Sequence, residues 1–109
     1  MSFEIQLNQI CTKVPSFVPL YNARVRHYII KDHIRNVYNQ FEKYFSEDFN
    51  HNDIDWFRVF LLLHDIGKSP AFKAGNREKQ YKESIILLDN FKSQLKISDT
   101  HLKIYKCLL

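Results

Sequence analysis

The sequence predicts a mostly helical, single-domain protein, and three observations carry that expectation. Only two glycines and three prolines occur among 109 residues, too few for a turn-rich β architecture. Hydrophobic residues make up 45% and aromatic residues 15%, enough for a packed core and against disorder. Apolar residues also recur at helical rather than strand spacing along most of the chain. The length supports one domain spanning residues 1–109. No repeat, low-complexity tract or linker divides it.

Phe3 to Thr12 reads as a short helix covering part of the core. Val14-Pro15 and Val18-Pro19 interrupt it, because proline disfavours helix in the residue before it. Pro19 suits the first turn of a new helix, where its missing N–H costs nothing. From Leu20 to about Phe45 the pattern is that of one long helix. Val25, Ile29, His33, Val37, Phe41 and Phe45 recur every four residues, with Ile30, Ile34 and Tyr38 widening the stripe. Arg24, Arg26, Lys31, Arg35, Asn39 and Lys43 fall on the polar side, and His33 falls inside the apolar stripe.

Ser46 to Asp53 is a polar loop in which Asn52 or Asp53 can cap the next helix. That helix, Ile54 to Ile66, is apolar nearly all round from Val59 to Leu63, which implies burial. Gly67 is expected to end it in a left-handed conformation. Residues 68–77 read as a loop with one helical turn. Glu78 to Phe91 reads as a third main helix, with Tyr81, Ile85, Leu88 and Phe91 on one face. Ser98 or Asp99 caps a last helix, beginning near Thr100, that meets no stop signal before Leu109.

The net charge of +4 and a pI near 9.1 favour anionic partners, whether nucleotide, nucleic acid or lipid surface. Cys11 and Cys107 stand far apart and outside any CxxC pair, so neither a disulfide framework nor a cysteine zinc site is expected. No apolar run approaches the ~20 residues of a membrane span, and the first residues do not resemble a signal peptide. The expected location is cytoplasmic, with no membrane partner.

The chemistry concentrates in LLLHDIGK, Leu61 to Lys68. Here histidine and aspartate are adjacent at the end of a buried helix. A buried, unpartnered carboxylate costs several kcal/mol, so such groups are normally paired or metal-bound. Neighbouring helical residues point about 100° apart, so Asp65 can bridge while His64 binds one ion. His33, 31 residues upstream, lies on a helix expected to pack antiparallel against that of His64. Helical bundles assemble metal sites in this way. Each residue alone has a structural explanation: a hydrogen-bonded core histidine for His33 or His64, a helix-end acid for Asp65. Their combination with Gly67 and Lys68 favours a metal centre. His27, His51 and His101 fit structural or solvated roles, and Trp56 fits the core.

DHIRNV (Asp32 to Val37) and LLLHDIGK resemble the first two motifs of the HD-domain superfamily of metal-dependent phosphohydrolases, over roughly residues 20–90. The resemblance implies an all-α, HD-domain-like helical bundle with His33, His64 and Asp65 as ligands of a divalent metal (Mn, Fe, Ni, Zn or Mg). It implies hydrolysis of a phosphoester, commonly a nucleotide, with Asp65 and Lys68 at the reacting group. Lys68 matches a lysine near the bound phosphate. Lys73, Arg77, Lys79 and Lys82 extend a basic stretch suited to phosphates. Tyr81 stands where many members have a further histidine. The family's last ligand is an Asp on a later helix, and Asp89 and Asp99 come too early for it. The expectation is a bundle truncated at its C-terminus, the alternative being a catalytically inactive regulatory or binding module. A basic helical nucleic-acid binder is a weaker third reading, because the basic residues are scattered and no nucleic-acid motif occurs.

Overall fold

The computed structural model describes residues 2–109 and bears out the all-α expectation: seven α-helices and one two-stranded hairpin occur among the described residues. Helix α1, Phe3–Lys13, starts at Ser2, whose hydroxyl accepts the Ile5 N–H. Phe3 and Ile10 on its inner face are buried. Val14 and Phe17 continue the buried surface through a short 3₁₀ turn to α2, Val18–Asn22, where Pro19 sits in the first turn as expected. Tyr21 on α2 is fully buried, and its hydroxyl donates to the Leu62 carbonyl at 2.7 Å.

The expected long helix from Leu20 to Phe45 is not continuous. It breaks at Ala23, which is extended, and gives an antiparallel hairpin of β1, Arg24–Val25, and β2, Tyr28–Ile29. Helix α3 then runs Ile30–Tyr44. The stretch Val25 to Ile30 is rich in β-branched and aromatic residues, which fit a pleated pair as well as a helix. The four-residue spacing happened to run on across the break. The buried face of α3 is therefore Ile30, Ile34, Tyr38 and Phe41, while Phe45 lies exposed beyond its end. His33 stands at the edge of that face, its side chain 38% exposed, and not inside it.

Helix α1 is fastened across α3 by polar groups at the rim. The Arg35 guanidinium reaches Glu4 at 2.7 Å and Asp32 at 2.8 Å, and lies over the Phe3 ring. The Tyr38 hydroxyl donates to Gln6 Oε1 at 2.6 Å, and Phe3 meets the Tyr38 ring edge-on.

Helix α4, Ile54–Leu63, supplies the centre of the core through Leu62 and Leu63, both fully buried. Asp53 precedes it but does not cap it: its carboxylate accepts from the Trp56 indole N–H at 2.9 Å. The helix ends at Leu63, earlier than expected, and His64–Gly67 form tight turns closed by Ile66 N–H to Leu63 O and Lys68 N–H to Asp65 O. Gly67 is right-handed there, with φ −81°. Its role is space, not handedness: a Cβ would run into the backbone of Gln80 and Ser84 and the Ser84 hydroxyl.

Helix α5 occupies Lys68–Lys73 and is closed by Gly75, at φ 74°. Gly75 N–H bonds Phe72 O and Asn76 N–H bonds Ala71 O, the two bonds of a left-handed helix cap. Helix α6, Gln80–Leu95, presents Ser84, Leu88 and Leu95 inward and packs Phe91 on Phe17, so the expected face holds at Leu88 and Phe91 while Tyr81 is exposed. Its register is set by the close crossing at Gly67. Helix α7, Asp99–Leu108, is capped by Ser98, whose hydroxyl accepts the His101 N–H. It packs on α4 through Tyr105, which donates to the Trp56 carbonyl at 2.9 Å. No helix among the described residues is long and apolar enough to cross a membrane.

Candidate functional site

The turn His64–Gly67 leaves the end of α4 beside α3, and this brings His33, His64 and Asp65 together. His33 Nε2 and His64 Nε2 each stand 3.3 Å from the same oxygen, Asp65 Oδ2. The Asp65 side chain is only 10% exposed. Two supports hold the turn from below. The Ser84 hydroxyl accepts the Gly67 N–H at 3.0 Å and donates to the His64 carbonyl at 3.4 Å. The buried neighbours Leu63 and Ile66 anchor it in the core.

The tautomer of His64 follows from its second contact. Nδ1 lies 2.6 Å from the Leu61 carbonyl, which can only accept, so Nδ1 carries the proton. Nε2 then faces the carboxylate with a lone pair unless it gains a proton or a metal ion. Burial opposes charge on His64, but the contact with Asp65, its charge and the Leu61 carbonyl outweigh it and raise the imidazole pKa above the ordinary value. Burial likewise opposes the Asp65 carboxylate, yet His64, Lys68 and His33 together hold its pKa below the ordinary carboxylate value.

At 3.3 Å both contacts are longer than the ~2.8 Å of a close charge-assisted hydrogen bond. That separation is also what two donors keep when bound to one ion at ~2.1 Å each, roughly 3.0–3.4 Å across a polyhedron edge. Two imidazole nitrogens and one carboxylate form a donor set that leaves positions open to water and substrate. The Nδ1 bond of His64 is the outer support that metal-binding histidines usually have. Among the described residues, however, no group of three or more His, Cys, Asp or Glu side chains is arranged around a point as a ligand set. The three donors meet at one carboxylate oxygen instead. Asp89 and Asp99 do not join them: Asp89 pairs with Lys106 at 2.7 Å and Asp99 with Lys92 at 2.9 Å.

Next to this cluster lies a cavity of about 380 Å³ between the hairpin, α5 and the start of α6. Arg26, Tyr28, Lys68, Phe72, Arg77, Glu78 and Gln80 line it. Tyr28 and Lys68 join the two features: the Tyr28 ring packs against the His33 ring at 5.0 Å, and Lys68 Nζ lies 5.2 Å from the Tyr28 ring centre. Burial lowers the Lys68 pKa, but Tyr28 and the Asp65 charge reverse this and leave it raised, so the ammonium stays charged.

Of the residues singled out in the sequence, His33, His64, Asp65 and Lys68 come together, and Arg77 lines the adjoining cavity. Lys73 is exposed at the far end of α5 and does not border it. His27 and His51 are exposed, and His101 packs against Trp56. Sequence reasoning missed Arg26, Tyr28 and Gln80, because a continuous helix would have put Arg26 on a solvated face. The strand-forming composition of Val25 to Ile30 was the available signal. Comparison with family models, with curated proteins and with solved structures gave no match.

Proposed function

We propose that the chain belongs among the HD-type helical phosphohydrolases and cleaves a phosphoester, of a nucleotide or a related phosphorylated compound, with a divalent metal held by His33, His64 and Asp65. The observation that supports this reading most is the meeting of both Nε2 atoms on Asp65 Oδ2, with the His64 Nδ1 proton committed to the Leu61 carbonyl. A neutral His64 brings a lone pair to a carboxylate there, an arrangement that either a proton or a metal ion between them resolves. When bound, the divalent ion supplies the Lewis acidity that polarises a phosphoryl oxygen and acidifies water.

The protein's own groups account for the rest. Asp65, the buried carboxylate at the centre of the cluster, orients the attacking water. Lys68 lines the adjoining cavity, charged, where it offsets the negative charge of the phosphoryl oxygens. The Tyr28 ring touches both His33 and Lys68, and so links the donor cluster to the cation that faces the phosphate.

Elemental analysis of the purified chain tests the metal centre. Near-stoichiometric divalent metal is expected in the wild type and its loss in His64→Ala and Asp65→Ala; absence of metal from the wild type, even after addition, sinks the reading. With metal in place, Lys68→Ala is expected to lower turnover of a phosphoester about a hundredfold while metal content stays constant.

A second reading has its own support. Both later aspartates are engaged in surface ion pairs, and no full ligand set encloses a point among the described residues. These favour a module that keeps the fold and binds a phosphorylated ligand without turnover. Ligand binding combined with no hydrolysis in any divalent metal selects it.

A further inference from the structure

The cavity beside the cluster has the features of an anion site in its own right. The Arg26 guanidinium lies 5.7 Å from the Phe72 ring centre, and Lys68 Nζ lies 5.2 Å from the Tyr28 ring centre. None of Arg26, Lys68 or Arg77 has a carboxylate at ion-pair distance among the described residues. Arg26 and Arg77 therefore bring guanidinium groups to the cavity without a carboxylate partner, and Lys68 stays charged beside Tyr28. Arg26 reaches the cavity from a hairpin turn with φ 55°, a left-handed conformation that arginine rarely adopts. Gln80 contributes a buried side-chain oxygen with no hydrogen-bond partner. Its amide can turn to offer either an acceptor or two donors. The single acidic lining residue is Glu78.

The shape adds a further constraint. A second hollow of about 340 Å³ shares Arg26, Phe72 and Arg77 with the first and is also lined by Gly75. Lys68 lines only the first hollow, whereas Arg26 and Arg77 line both. The cationic lining thus continues from the cavity that holds Lys68 into a second hollow, which offers room and charge for more than one phosphate.

We propose that this groove binds a diphosphate or longer phosphate chain, with Arg26 and Arg77 holding the phosphates beyond the one at Lys68. The proposal rests on the phosphohydrolase reading only for the identity of the group at Asp65; the anion site stands without it. The arginines grip phosphate oxygens through paired N–H groups, and Arg26 and Arg77 act as specificity residues.

Calorimetric titration of the full chain in chelator, without divalent metal, tests this with orthophosphate, pyrophosphate and tripolyphosphate as probes. Pyrophosphate and tripolyphosphate are expected to bind at least tenfold more tightly than orthophosphate. Arg26→Asn, which tolerates the left-handed turn, and Arg77→Gln should each weaken tripolyphosphate tenfold or more. Glu78→Gln should tighten it, an outcome that misfolding cannot imitate. Equal binding of all three probes, or arginine variants that bind like the wild type, overturns the proposal. Metal uptake is scored separately: a chain that binds metal but lacks this chain-length preference loses the proposal alone. One that prefers polyphosphate but never takes up metal loses the hydrolase reading alone.

Discussion

With its Nδ1 proton committed to the Leu61 carbonyl, His64 meets Asp65 through a nitrogen that carries charge only when protonated. The two groups therefore support each other over a bounded pH range. The His64 pKa is raised, so its contribution is present below the ordinary histidine value of 6.5 and is lost as pH rises through the folded value. The Asp65 pKa is lowered, so its contribution is present above the ordinary 3.8 and is lost as pH falls through the folded value. In metal-free protein, the stability difference between wild type and Asp65→Asn should peak between about pH 4 and pH 6.5. Urea denaturation across pH 3 to 9 measures it, and a difference that stays flat would show that the two groups do not interact. The same residues mark the boundary of what the sequence discloses. Adjacent His64 and Asp65 at the end of an apolar segment were legible because burying them demands a partner. The lone-pair conflict was not, because it depends on the Leu61 carbonyl.

At the scale of elements, the two glycines separate two kinds of constraint. Gly75 needs its left-handed φ and has open space where a Cβ would go, so Gly75→Ala should cost roughly 1–2 kcal/mol. Gly67 is right-handed but crosses α6 so closely that Gly67→Ala must push the His64–Gly67 turn off Gln80 and Ser84. The overpacking cost is on the order of 1–3 kcal/mol, and the displaced turn carries both His64 and Asp65. Gly67→Ala should therefore weaken metal uptake as well as stability, whereas Gly75→Ala should leave uptake unchanged. Equal uptake in both variants would detach the site from this crossing. Sequence pattern found the helix-ending role of glycine but assigned it to Gly67, since a stop after an apolar run looks the same whether handedness or space requires it. It found α1, α4 and the Ser98 cap for local reasons: hydrophobic spacing and a side-chain acceptor. It missed the hairpin because Val25, Ile29 and His33 satisfy the helical period by coincidence. What separates the alternatives is tertiary, the packing of Tyr28 against His33 and Lys68.

At the scale of the whole molecule, the candidate centre joins segments that are distant in the chain. His33 comes from α3, while His64 and Asp65 come from the turn after α4. That turn is clamped by Ser84 of α6, and α4 is tied to α2 through the Tyr21 hydroxyl on the Leu62 carbonyl. An ion that binds all three donors cross-links elements whose unfolding would separate them, so binding and global stability are linked. At a free metal concentration a hundredfold above the dissociation constant, the stabilisation is about 2.7 kcal/mol. For a domain near this size each kcal/mol raises the melting temperature by roughly 4–8 °C. Manganese or zinc added to chelator-stripped protein should therefore raise the thermal midpoint by on the order of 10 °C or more. His33→Ala should remove most of that rise even though residues 64–68 are untouched, because the cross-link to α3 is gone. A rise of equal size in His33→Ala would mean that His64 and Asp65 bind the ion alone and that α3 only covers the site.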